Sequence, residues 1–161
     1  MRQGMDMESE ALIQTWEIHN RIVLYFLEAI APAHLTDVAS TKGRNVAEQL
    51  AHVHNVRLMW LKVSAPELFK KQKSIEKERA ADKELLRRSL TDSGTAIGQL
   101  LEQSVAAGGK VKSFKPHATA FLGYLIAHEA HHRAQVVLIL KQNGHAVDKK
   151  VAYGIWEWGT K

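Results

Sequence analysis

The chain has 161 residues, a length that fits one helical domain over residues 1–161. It contains no cysteine, which excludes disulfides, thiolate metal sites and a cysteine nucleophile, so any metal must be bound by His, Asp or Glu. The net charge of +5 comes largely from a run at 70–88, but acidic residues interrupt this run and it has no aromatic residue, so we expect no binding to nucleic acid. The sequence shows no signal peptide and no apolar stretch of bilayer length, so we expect a cytoplasmic protein that does not bind a membrane.

The first two predicted helices run from about 7 to 30 and from about 45 to 62. Ala31-Pro32 ends the first helix, because the residue before a proline disfavours the helical conformation. Asn45 can cap the second helix and Glu48 can reach back to it, which is the pattern of a capping box. Residues at spacings of three and four form the inward stripe of the first helix: Leu12, Trp16, His19, Val23, Phe26 and Ile30.

A charged connection at 64–80 is long for a bundle loop and indicates a crossover or a lid. The third helix is predicted from about 82 to 106, before Gly108-Gly109, and the fourth from near Pro116 to Asn143. The inward stripe of the fourth helix comprises Phe121, Leu125, His128, His132, Gln135 and Ile139. The pattern therefore predicts an all-α four-helix bundle, followed by an ordered C-terminal tail whose tryptophans Trp156 and Trp158 pack on the bundle or on a second subunit.

A histidine pair on the fourth helix indicates a metal site. His128 and His132 are four residues apart, so both imidazoles lie on one helix face about one turn apart. Burying two neighbouring imidazoles is costly unless their polar atoms are satisfied, and a shared metal ion satisfies both. The third ligand is His52, His54 or His19; His52 and His54 are about 200° apart on a helix, and the apolar stripes do not decide between them.

Several other polar and aromatic residues near this pair can be interpreted as either structural or functional residues. Glu129 is interpreted as a surface carboxylate paired with Arg133, and the alternative is a base beside the metal. His19 is interpreted as a core histidine or as a residue behind the ligands, and His131 as a boundary residue. The candidates for orienting the imidazoles are Glu48, Gln49 and Gln135. The aromatic residues that are either core or pocket wall are Trp16, Trp60 and Tyr124.

Two segments resemble the DinB/YfiT-like superfamily of bacterial four-helix proteins. The stretch HEAHHRAQVVLILKQNGH at 128–145 resembles the family's histidine-bearing fourth helix, and NVAEQLAHVHNVRLMWL at 45–61 resembles its second-helix motif. The resemblance aligns His52, rather than His54, with the family's third histidine. It implies a bundle with a long crossover, one metal ion on His52, His128 and His132, and frequently a homodimer.

The functional prediction follows from a three-histidine site with an open coordination position, which is typical of catalytic metals. The metal expected first is zinc, and nickel next. Members of the superfamily act on low-molecular-weight thiols or resemble hydrolases, so the resemblance predicts a metal-dependent hydrolase or thiol S-transferase with a small-molecule substrate and no assigned catalytic side chain. The alternatives are a non-catalytic metal-binding or stress-response protein and a nucleic-acid-binding bundle.

Overall fold

The computed structural model describes residues 6–160, and no β-strand occurs in that range. Four long helices confirm the predicted bundle, and single 3₁₀ turns lie at Pro32–His34 and Lys77–Arg79. The α-helices in chain order are α1 (Met7–Glu28), α2 (Val46–Ser64), α3 (Pro66–Phe69), α4 (Lys83–Ala106), α5 (Ala118–Gln142) and α6 (Lys149–Gly154).

The helix ends follow local capping chemistry. Asn45 and Glu48 form the predicted capping box on α2: the Asn45 side chain accepts from the Glu48 amide at 2.8 Å, and the Glu48 carboxylate accepts from the Asn45 amide at 3.1 Å. The fourth long helix begins later than predicted, because the His117 ring caps it by accepting from the backbone amide of Ala120. After α4, Gly108 and Gly109 adopt the left-handed conformation, with φ of 82° and 77°.

The directions of the helices follow from two apolar clusters, one at each end of the bundle. The first cluster joins the C-terminal halves of α1 and α5 to the N-terminal halves of α2 and α4. The second cluster joins the opposite halves of the same four helices. Since α1 and α2 each pack against α4 and α5, the bundle has an up-down-down-up arrangement in which α2 and α4 are parallel neighbours.

A parallel pair requires the chain to return along the bundle, and residues 65–82 form this crossover, as predicted. The crossover is fastened to α2 by two neighbouring side chains. Asn55 donates to the backbone oxygen of Ile75 at 3.0 Å and accepts from its amide at 2.9 Å. His54 is buried and its Nε2 donates to the backbone oxygen of Lys73 at 2.9 Å. His54 therefore has a structural role in holding the crossover.

A buried polar layer lies between the two apolar clusters. Arg57 on α2 donates from Nε and Nη2 to the two carboxylate oxygens of Glu129 on α5, at 2.7 and 2.8 Å. His19 on α1 shares the Glu129 Oε2 at 2.7 Å, and the Arg57 Nη1 donates to Asn20 and to the backbone oxygen of Leu90. The prediction that Glu129 is a surface carboxylate paired with Arg133 is wrong, because Glu129 is buried against Arg57.

The C-terminal segment is ordered against the bundle. Ile155 belongs to the first apolar cluster, and Trp158 packs on that cluster as predicted. Gly154 approaches the ring of Tyr25 so closely that a Cβ at this position would overlap it. Trp156, by contrast, is 71% exposed, so only one of the two terminal tryptophans packs into the bundle.

Candidate metal centre

Helices α2 and α5 bring three histidines together. His52 lies on α2, and His128 and His132 lie one turn apart on α5. One ligand atom from each ring lies within 4.8 Å of the others. The ring centroids are separated by 5.4 Å between His52 and His128, 4.5 Å between His52 and His132, and 4.6 Å between His128 and His132. The three imidazoles can therefore meet at one ion.

The position of His52 explains why periodicity did not identify it. The face of α2 that enters the core carries Leu50, Val53, Leu58 and Leu61. Gln49, His52, Val56 and Met59 also share one side of α2, but Met59 on that side is 49% exposed. His52 is half-buried at the seam between α2 and α5. The three histidines thus lie at the edge of the core, where His52 and His128 are partly exposed to solvent.

The two other candidate ligands have partners elsewhere. His54 faces the crossover, about 200° around α2 from His52. His19 lies in the polar layer with Glu129, as a core histidine whose partner is a side chain. Within residues 6–160, the group of side chains that lie close enough to hold a metal ion contains His52, His128 and His132 alone.

A directional hydrogen-bond chain fixes the His132 ring. Its Nδ1–H donates to the Gln49 Oε1 at 2.7 Å, because an amide oxygen can only accept. The Gln49 amide donates in turn to the Gln135 Oε1 at 2.6 Å, and the Gln135 amide donates to the Nε2 of His131 at 2.8 Å. The His132 Nε2 consequently carries the free lone pair. Gln49 and Gln135 therefore orient the ring, whereas Glu48 serves the helix cap.

The electrostatics keep the three imidazoles neutral. Burial, followed by the neighbouring His128 and His52, lowers the pKa of His132 to about 4. Burial also lowers the pKa of His52, with Arg44 contributing, and the pKa of His128, although Glu129 opposes the shift there. A metal ion needs the unprotonated ring, so these lowered pKa values favour binding.

The three histidines fit a divalent transition metal, and an unpartnered ring nitrogen of His128 supports this fit. The His128 Nδ1 is buried and has no hydrogen-bond partner in the described part of the chain. A buried ring nitrogen without a partner costs free energy, and ligation is one means of satisfying such a ring. Three neutral nitrogen donors suit zinc, nickel or copper more than magnesium or calcium, which prefer oxygen.

An aromatic wall borders the histidines on one side. Tyr124, one turn before His128, stacks with it at 6.2 Å between centroids and an interplanar angle of 18°. Trp60 and Phe114 each lie 5.6 Å from Tyr124, and the buried Trp60 Nε1 has no hydrogen-bond partner among residues 6–160. Trp16 is instead a core residue that donates to the backbone oxygen of Gly94 at 2.8 Å.

Sequence reasoning missed Arg57, although the chain carried a signal for it. Arg57 follows Val53 by four residues and precedes Leu61 by four, so it has the phase of the core-facing stripe of α2. An arginine at such a position must find an anionic partner inside the bundle. Glu129, next to His128, is that partner.

The fold and this cluster define a four-helix bundle in which three histidines from two helices lie close enough to hold a metal ion. The chain belongs to the DinB family, whose family model matches residues 1–156. No curated protein and no solved structure shows significant similarity to the chain. None of the helices within residues 6–160 has the length and apolar character needed to cross a membrane.

Proposed function

We propose that this chain is a metal-dependent enzyme of the hydrolase or low-molecular-weight-thiol S-transferase type, with one divalent ion on His52, His128 and His132. The observation that best supports this proposal is that three neutral imidazoles from two helices come together, with one ligand atom of each ring within 4.8 Å of the others. Zinc is the proposed ion and nickel the next candidate, because both bind well to imidazole nitrogens.

The arrangement supports catalysis more than a purely structural metal. Three protein ligands with an open position are the usual pattern of catalytic zinc, whereas structural zinc takes four. When bound, the ion supplies Lewis acidity that activates water or a thiol for nucleophilic attack. Gln49 keeps the His132 proton on Nδ1 and the metal-binding lone pair on Nε2.

The surroundings of the histidines support a small substrate with an apolar or aromatic part. The exposed edge of Tyr124 and the half-buried Trp60 provide an apolar surface beside His128. A homodimer and a cytoplasmic location are part of the proposal, on the family resemblance and the sequence composition.

Metal analysis of purified, untagged protein tests the site. We expect one zinc or nickel ion per chain in the wild type, and its loss in His52→Ala and His132→Ala. His34→Ala is the matched control, since His34 lies in the 3₁₀ turn at Pro32–His34, outside the three-histidine group. His54→Ala should also keep the metal. Absence of metal from the wild type, even after zinc is added, would refute the proposal.

Activity of the zinc-loaded protein separates the two reaction types. A thiol transferase consumes a free thiol only when an electrophile is present, whereas a hydrolase releases acid from esters or amides without a thiol. Either activity should disappear in His128→Ala. A loaded wild type that is inactive in both panels would reject catalysis and favour the non-catalytic metal-binding alternative.

A further inference from the structure

A second concave surface lies on α5, away from the three histidines. Its α5 residues include Ala130 and Ala134, each two positions after a proposed metal ligand and therefore about 200° around the helix from it. Phe26 of α1 and the C-terminal segment with Ile155 and Trp156 complete the walls. We name this surface the Trp156 groove; its remaining lining residues are Arg133, Val137, Lys141, Val147 and Ala152.

The groove combines an apolar lining with positive charge. Its two charged residues, Arg133 and Lys141, are both cations, and no acidic residue lines it. The volume of about 370 Å³ is in the range of small-molecule sites. Trp156 is 71% exposed at its rim, although large aromatic side chains are usually covered.

Arg133 is the unexplained residue in this surface. Its Nη1 is buried and has no hydrogen-bond partner among residues 6–160, and the carboxylate of Glu129 instead accepts from Arg57 and contacts His19. A partly buried guanidinium that forms no ion pair within residues 6–160 favours an anion beside it.

We infer that the Trp156 groove binds a small amphipathic carboxylate, with the carboxylate beside the Arg133 guanidinium and the hydrocarbon part along Phe26, Val137 and Trp156. A monoanion fits best, because the groove has two cations, Arg133 and Lys141, in an otherwise uncharged and largely apolar lining. The apolar lining requires that most of the ligand be hydrocarbon. This site is independent of the proposed metal chemistry, since it lies on the opposite side of α5.

Octanoate is a suitable probe, and 1-octanol is its uncharged control with the same chain length. Binding to the full, metal-loaded chain can be followed by tryptophan fluorescence, because Trp156 lines the groove. We expect saturable binding of octanoate with a blue shift, and octanol binding at least about tenfold weaker, as the loss of a charge-assisted hydrogen bond predicts. Trp156→Phe should lose most of the spectral change while calorimetry still detects binding.

Variants decide whether Arg133 recognises the carboxylate. Arg133→Gln should weaken octanoate about tenfold or more and leave octanol within about twofold. Lys141→Gln, at an exposed position that cannot affect folding strongly, should weaken octanoate by about two- to fivefold. Equal affinity for octanoate and octanol in the wild type, or unchanged octanoate affinity in both variants, would overturn the inference.

Two further outcomes identify other occupants. A carboxylate can also ligate a metal, so octanoate binding must persist in His52→Ala; its loss there would place the ligand at the three histidines and overturn the inference. If the wild type shows no saturable binding, and light scattering gives a dimer in which Trp156→Glu produces monomers, a second copy of the chain covers the groove and the inference is wrong.

Discussion

Replacing Glu129 with glutamine tests whether the buried polar layer stabilises the bundle through charge. The substitution keeps the shape and volume of the side chain and leaves an oxygen that can accept from Arg57. It removes the negative charge that faces the guanidinium and the ring of His19. Arg57 then remains as a fully buried cation without an anionic partner.

The size of the effect can be worked out in two ways. Burial alone would raise the pKa of Glu129, but the charge and hydrogen bonds of Arg57, together with His19, lower it from 4.5 to about 2. That difference corresponds to roughly 3 kcal/mol in favour of the charged form. Removing one partner of a buried ion pair typically costs about 3–5 kcal/mol. We therefore expect Glu129→Gln to lower the free energy of unfolding by about 3–4 kcal/mol.

The assay is urea denaturation of the metal-free protein at neutral pH, with the slope compared between wild type and variant. Because the folded-state pKa of Glu129 is depressed, its contribution is fully present above pH 4.5 and is lost as the pH falls towards about 2. The difference between wild type and Glu129→Gln should therefore shrink over that interval. A loss below about 1 kcal/mol at neutral pH, with unchanged slope, would refute the reasoning.

A double-mutant cycle separates the charge pair from packing. Arg57→Met and Glu129→Leu each leave one buried charge, whereas the double variant leaves none. The double variant should be more stable than the sum of the single effects predicts, by about 2 kcal/mol or more. Additive effects would mean that Arg57 and Glu129 do not depend on each other.

Three further predictions concern the packing and the metal centre. Gly94→Ala places a Cβ on the side-chain amide of Asn20, which accepts from Arg57, so it should lower stability by about 1–3 kcal/mol. Gly98→Ala, one turn later, meets only ordinary contacts and should leave stability unchanged or raise it by up to about 1 kcal/mol. Thermal unfolding of the two variants measures the difference. Gln49→Leu removes the acceptor of the His132 Nδ1–H and should weaken zinc binding by about 10–100-fold in a chelator competition; unchanged affinity would mean that the hydrogen bond does not orient the ring. In the metal-free protein, the folded state favours the neutral ring of His132, because its pKa is lowered from 6.5 to about 4. This stabilisation is complete above pH 6.5 and is lost as the pH falls towards about 4, so the free energy of unfolding should fall less over this range in His132→Gln.

Much of the fold follows from local signals in the sequence. The capping box of Asn45 and Glu48 and the glycine pair after α4 set helix ends that agree closely with the structure. The charged stretch at 64–80 predicted the crossover because its length is more than an ordinary bundle loop requires. His128 and His132 could be placed on one face because their spacing is a property of the helix alone.

Contacts between helices could not be predicted from the sequence in the same way. His52 and His54 differ in which neighbour they meet, the histidines of α5 or the crossover, and helical phase contains no information about neighbours. Glu129 seemed a partner of Arg133 because that spacing is local, whereas its actual partner Arg57 is 72 residues away in sequence. The resemblance to the family selected His52, and the structure places this histidine beside the α5 pair.

The polar layer also has a consequence for the alignment of the helices along their axes. Apolar side chains tolerate a slip of one helical turn, about 5.4 Å, because leucine against leucine packs similarly at either level. The bidentate contact between Arg57 and Glu129 does not, since its hydrogen bonds are at 2.7 and 2.8 Å. His52 lies five residues before Arg57, and His128 lies immediately before Glu129. The ion pair between Arg57 and Glu129 thus fixes the position of α2 relative to α5 along their axes, so that His52 lies beside His128.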